Sequence, residues 1–189
     1  MEIACLVWAC VLLNLVYKFV DKSITSHGVP PFQIPRMRFV EASLAIERVT
    51  SEFDGARAFL LEEVIGGDEG HFRKYLNNVS AAPVSFTNED DEERAEFLAF
   101  SQHVQYFKTK KMAFVADYQG GNSILSDPQI VTDSELGYIF AEGNVPSSHQ
   151  SFKTHHRCNR FCKFFQVPTD YDIWESQGSL IHSIDSPAL

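Results

Sequence analysis

Three residues of the segment KTHHRCNRFCKFF (153–165), His156, Cys158 and Cys162, form the pattern H-x-C-x3-C. Imidazole nitrogen and thiolate sulfur are the ligands zinc takes in closed tetrahedral sites. A helix from 158 to 162 would set both thiols on one face, four residues apart, with His156 folding back from just ahead of it. The same cluster also fits two buried cysteines beside surface histidines, or a disulfide. An intracellular setting disfavours the disulfide, and Cys5 and Cys10 lie in an apolar stretch that reads as core. His103, near the end of a helical segment, is the natural fourth ligand. Four protein ligands leave no position for water, so a zinc held this way is structural.

A second set lies in VADYQGGNSILSDPQI (115–130). Asp117 and Gln119, two apart on a strand, would point to the same side. Gly120-Gly121 turns the chain, and Asp127 arrives ahead of Pro128. Two carboxylates and an amide oxygen are hard ligands suited to magnesium. Magnesium beside a well-placed carboxylate is the equipment of phosphoryl transfer. On spacing alone, a polar turn with two capping aspartates explains the same residues. No G-x-x-x-x-G-K-[ST] loop is present.

These groups need elements to hold them. Residues 88–107 form the clearest helix: Asn88 can cap it, acidic residues fill its first turn, and Phe97, Phe100, Val104 and Phe107 make one apolar stripe. Residues 112–116 read as a strand running into the glycine turn, and 56–65 as a strand ended by Gly66-Gly67. Residues 37–50 fit a strand or a short helix. Residues 152–167 read as a second helix, stopped by Pro168. Residues 3–20 are an apolar helix, followed by the proline-rich linker SHGVPPFQIP. Glu2 in place of a basic start, and the polar breaks at Asn14 and Lys18, favour a buried core helix over a signal or membrane anchor. Residues 169–189 carry no period and are expected to drape over the surface. With 44% hydrophobic residues, sixteen of them Phe, the 189-residue chain can bury a core. Its net charge of −9 speaks against nucleic acid as a partner.

The segments AFSQHVQYFKTKKMAFVADYQGG, ILSDPQIVT, GYIFAEGNV and HHRCNRFCKFF fall in the order and at the spacing of the alpha-kinases, which are atypical Ser/Thr protein kinases. FLLEEVIGGDEGHFRKYLNN also resembles a family segment, and the likeness runs over about residues 1–167. It implies an α+β, two-lobed kinase-like fold over 1–168, with a tail at 169–189. A structural zinc would sit in the C-terminal lobe, and the N-terminal lobe would be truncated. It implies transfer of the γ-phosphate of ATP, with Mg2+, to a hydroxyl of a protein substrate. The weak signal-peptide case and the zinc-type thiolates, apart from the resemblance, suggest the cell interior, cytoplasmic and away from membranes.

By the same resemblance His103, His156, Cys158 and Cys162 are the zinc ligands and Asp117 is the catalytic aspartate. Gln119 and Asp127 are metal and phosphate ligands. Glu62, or Glu63 if the register slips by one, contacts adenine, and Lys74 stands near the phosphates. The chain departs from the family in two places. No upstream glycine-bearing strand pair or phosphate-gripping lysine strand is found. The loop AEGNVPSSHQ keeps Gly143 and Asn144 but has Pro146 and His149 where the family has glycine. The alternative to an active kinase is a weak or inactive zinc-stabilised remnant that acts by interaction.

Overall fold

The computed structural model describes residues 2–47, 57–137, 139–140 and 146–169. Helix α1 (Glu2–His27) buries Leu6, Ala9, Leu13, Val16 and Val20. Their alternating three- and four-residue steps make one stripe. It is long and apolar enough to cross a membrane by length and composition. Here its stripe packs against helix α2 (Glu89–Lys108) and neighbouring strands. Val7, Trp8 and Val11 remain exposed on the other side. The helix stops at Gly28, whose φ of 92° leaves the right-handed region. Tyr17 then holds the proline-rich linker: its ring stacks on Phe97, and its hydroxyl accepts from the Met37 N–H at 2.7 Å.

Helix α2 begins as the sequence implies. The Asn88 side chain accepts from the Asp91 N–H at 3.1 Å, and Glu89 to Glu92 occupy the first turn. Its buried phenylalanines, Phe97 and Phe100, meet Phe161 at ring separations of 5.6 and 5.8 Å. Phe32 from the linker closes on Phe161 at 4.8 Å. Burying such a side chain contributes on the order of 2 kcal/mol, and this aromatic cluster joins linker, α2 and the C-terminal segment.

The sheet that matters for chemistry is built from short pieces. Strands β1 (Arg38–Phe39), β4 (Arg73–Lys74), β6 (Gln119–Gly120) and β7 (Ile124–Ser126) lie in the order β1-β7-β6-β4, with β1 parallel to β7 and the other pairs antiparallel. Strands β2 (Ala42–Ile46) and β3 (Ala58–Glu62) form a separate antiparallel ribbon. Strands β5 (Ala113–Ala116) and β8 (Gln129–Thr132) pair antiparallel against α2. The ribbon leaves Leu44, Ile46, Phe59 and Leu61 exposed, so α1 does not cover its apolar surface.

Of the two readings for 37–50 the strand holds in the described residues, as β1 and β2, and the strand expected over 56–65 is present as β3. One expectation changes. The single helix expected over 152–167 is two, α3 (Pro146–His155) and α4 (Arg160–Phe164). The break has a cause: Asn159 turns its side chain to accept from the Phe161 and Cys162 N–H groups and so starts a new helix, while its amide donates to the Glu96 carbonyl at 2.6 Å. Pro146 and His149 therefore belong to a helix rather than a glycine-type loop. Gly143, Asn144 and the tail from 170 onward lie outside the described residues.

Candidate active site and metal centre

Asp117 stands between β5 and β6 with φ at 59°, in the left-handed region where few side chains settle. The expectation that Asp117 and Gln119 share one face of a continuous strand is therefore corrected. β5 ends at Ala116, and the reversal at Asp117 turns its carboxylate towards β4. There the Lys74 ammonium meets Asp117 Oδ1 at 2.7 Å. The contact is set by backbone: the N–H groups of Tyr75 and Leu76 donate to the Tyr118 carbonyl at 2.8 and 3.1 Å. The Asp117 side chain is 7% exposed and that of Lys74 47%, so the pair sits at the edge of solvent with the carboxylate inward.

Gln119 lies opposite Lys74 in the β4–β6 register and opposite Ser126 in the β6–β7 register. Asp127 follows β7 with φ at 48°, and that turn brings its carboxylate back to the hairpin. The Gln119 amide donates to Asp127 Oδ2 at 3.1 Å. Because the NH2 end faces Asp127, the amide oxygen and the other carboxylate oxygen stay available as hard donors. The hairpin turn is locked by Glu69, whose carboxylate accepts from the Ser123 N–H and hydroxyl at 2.6 Å each and from the Ile124 N–H at 3.0 Å. Burial raises the Glu69 pKa, but these hydrogen bonds outweigh it and the net shift is downward. Gly120 is required here: a Cβ on it would lie 2.2 Å from the Ile124 carbonyl oxygen.

A cleft of about 460 Å³ opens beside this hairpin. Leu6 and Cys5 of α1, Leu60 of β3 and Ile130 of β8 give it apolar walls, and Glu62 and Asp127 face it from two sides. Glu63 is elsewhere. Its carboxylate is gripped by both Arg38 guanidinium nitrogens at 2.6 and 2.8 Å, which drives its pKa down to about 2. Of the two glutamates that the resemblance left open, only Glu62 borders the cleft. Lys74 and Asp117 do not line it; Gln119, opposite Lys74 in the register, links them to Asp127 on its wall.

The second centre gathers His103 from α2, His156 from the end of α3, Cys158 from the break and Cys162 from α4. One donor atom from each lies within 4.8 Å of all the others. His103 Nδ1 is 3.8 Å from Cys158 Sγ, and His156 Nε2 is 3.6 Å from Cys162 Sγ. Zinc bonds of 2.0–2.3 Å in tetrahedral array place their donors about 3.3–3.8 Å apart, a range that these two pairs meet. The His103 Nε2–H donates to the Pro168 carbonyl at 3.1 Å, which leaves the Nδ1 lone pair inward. Burial lowers the His103 pKa to about 4. Burial, with the neighbouring His103 and Arg157 charges, lowers His156 to about 3. Both rings are thus neutral and ligand-ready at neutral pH. Burial pushes the Cys162 thiol up to about 12, so it sheds a proton only to a strong partner. Cys158 precedes the helix rather than lying in it, so the thiols converge through the Asn159 turn and not through an i, i+4 face.

All nine residues singled out by sequence fall in these two centres or on the cleft. Sequence reasoning passed over Glu69, Gln105 and Tyr118, which brace the site without touching the cleft. The one available signal was Glu69 next to a glycine, ahead of the KYLNN segment.

Comparison with known proteins places the chain in a family. The alpha-kinase family model matches residues 10–162. Myosin heavy chain kinase C of Dictyostelium discoideum is 32% identical over 109 residues, covering 55% of this chain and 13% of that protein. Alpha-protein kinase 2 of Danio rerio is 32% identical over 148 residues, covering 78% of this chain and 7% of that protein. The crystal structure of the alpha-kinase domain of myosin heavy chain kinase A in complex with AMP superimposes with a TM-score of 0.61 at 22% identity, over 88% of this chain and 60% of that one. The ADP complex of the same domain gives 0.57 at 21% identity, over 86% and 58%. This chain thus spans a small part of its curated relatives and about three-fifths of the solved domain. The polar hairpin, the four-ligand cluster and the family match converge on one assignment: the chain belongs to the alpha-kinase family.

Proposed function

We propose that this chain carries the catalytic half of a protein kinase that transfers the γ-phosphate of ATP to a serine or threonine hydroxyl. The Lys74–Asp117 ion pair at 2.7 Å, joined through the β4–β6 register to Gln119 and Asp127, carries this reading. The cleft has room for the base and sugar of a nucleotide, with Glu62 placed to accept from the exocyclic amine of adenine. Asp117 orients the acceptor hydroxyl and takes its proton. The hydroxyl oxygen bonds to the γ-phosphorus as the bond to the bridging oxygen breaks, and ADP leaves with that electron pair. Lys74 holds the Asp117 carboxylate in line and offers its remaining N–H donors to phosphate oxygens. Gln119 and Asp127 supply the oxygen donors for Mg2+, which would neutralise phosphate charge when bound.

Zinc is proposed at the His103, His156, Cys158 and Cys162 cluster, where it would cross-link α2 to the C-terminal segment. The donor spacing and the inward His103 Nδ1 support it.

Incubating the 189-residue chain with labelled ATP, Mg2+ and a generic basic protein tests the kinase reading, with Asp117→Ala alongside. Transfer that the variant abolishes is expected. A folded, zinc-loaded chain that transfers nothing favours the interaction-module alternative.

A further inference from the structure

Tyr118 lies between Asp117 and Gln119 and is fully buried, yet its hydroxyl is not orphaned. Gln105 of α2 donates to it from Nε2 at 3.0 Å. The Gln105 Oε1 accepts from the Val115 N–H at 2.9 Å, so the amide has one allowed orientation and its NH2 must face the phenol. One turn away, Gln102 donates to the Val115 carbonyl at 2.8 Å. The two glutamines take both polar groups of the Val115 backbone, two residues before Asp117. The Tyr118 ring stacks on Phe39 at 6.1 Å, and its carbonyl receives the two N–H groups beside Lys74. Tyr118 is therefore fixed at ring, hydroxyl and carbonyl.

Asp117 hangs between these anchors in a left-handed conformation that persists only where neighbours enforce it. We propose that Gln105, acting through the Tyr118 hydroxyl, is a positioning residue for the Asp117 carboxylate. The role rests on the catalytic reading of Asp117, while the geometry it controls can be read without activity. Slackening the Gln105–Tyr118 bond lets the Tyr118 peptide rotate, and Asp117 drifts from Lys74.

The test uses the full chain with Tyr118→Phe, Gln105→Met and the double variant, in two measurements. The first is the carboxyl 13C signal of Asp117 in aspartate-labelled protein, calibrated with Lys74→Met. The second is phosphate transfer, resolved into kcat and nucleotide KM. Tyr118→Phe should move the Asp117 signal in the direction of Lys74→Met. It should also lower kcat by about 10- to 100-fold with KM unchanged. The double variant should fall no further than Tyr118→Phe, because both residues act through one bond. An Asp117 signal that stays in place while Tm falls would overturn the proposal, as would a loss confined to KM. If the wild-type chain transfers no phosphate, the kinase reading fails by itself. The carboxyl signal then decides alone: movement supports the positioning role and stillness overturns it. Tyr118→Phe deletes a single oxygen, so the outcome survives even if Gln105→Met does not fold.

Discussion

The Lys74 ammonium and the Asp117 carboxylate meet at 2.7 Å by separate routes, Lys74 from β4 and Asp117 from the left-handed turn after β5. What aligns them is the Tyr118 carbonyl, which takes the N–H groups of the two residues following Lys74. Replacing Lys74 by Met leaves that backbone seam intact and removes the charge. Transfer should fall by roughly 100-fold, with a modest loss of Tm from leaving the inward Asp117 carboxylate unpaired; a drop in Tm of the same order as in core variants would mean that the pair serves the fold instead.

The His103, His156, Cys158 and Cys162 cluster predicts one zinc per chain by elemental analysis. His103→Ala or Cys162→Ser should lose the metal. With four ligands tying α2 to the segment after α3, each should also lower Tm by at least about 5 °C, a stability loss of roughly 2 kcal/mol in a chain of this size. Equal Tm with and without a strong chelator would remove zinc from the account.

Asp91 holds two guanidinium groups, Arg73 at 2.7 Å and Arg94 at 2.9 Å, and its side chain is 8% exposed. Asp91→Ala leaves two half-buried cations facing each other across a gap. The expected cost is about 2 kcal/mol, below that of a fully buried pair because both arginines reach solvent. Urea unfolding would read it, and a value near zero would show that water replaces the carboxylate.

Glu63 gives a pH dependence with a definite sign. Its hydrogen bonds from Arg38 depress its pKa to about 2 in the fold, against 4.5 for the ordinary group. The unfolded chain therefore takes up a proton first as pH falls. The contact contributes its full stabilisation above about pH 4.5, and that share is lost progressively as pH falls towards 2. Glu63→Gln should unfold more readily than wild type at pH 6, with the two curves merging near pH 2. A gap that persists unchanged to pH 2 would assign the effect to packing. Arg38 and Glu63 are partly exposed, so the gap should be small.

Local chemistry made part of this molecule readable in advance. Asn88 and the acidic run after it state a helix start in their own residue types, and the α2 stripe repeats often enough to outvote noise. The histidine and cysteine types betray their shared use. Geometry that depends on distant partners is another matter. Nothing near Asp117 announces a left-handed backbone, because the groups that enforce it come from β4 and α2. The split between α3 and α4 hides for a similar reason: Asn159 looks like an ordinary helix-surface residue until the Glu96 carbonyl engages its amide. Glu62 and Glu63 are identical in type, and only Arg38 tells them apart.

Gly120 turns the hairpin into a genetic blind spot. Its φ of 152° and the Ile124 oxygen 2.2 Å from any added Cβ leave no smaller alternative to fall back on. Every amino-acid replacement there, alanine included, meets the same wall. A saturation library selected for a folded, active chain should return this codon only in its synonymous forms, while Gly66 and Gly67, with open space around them, admit side chains more freely at the first than at the second, whose φ is 62°.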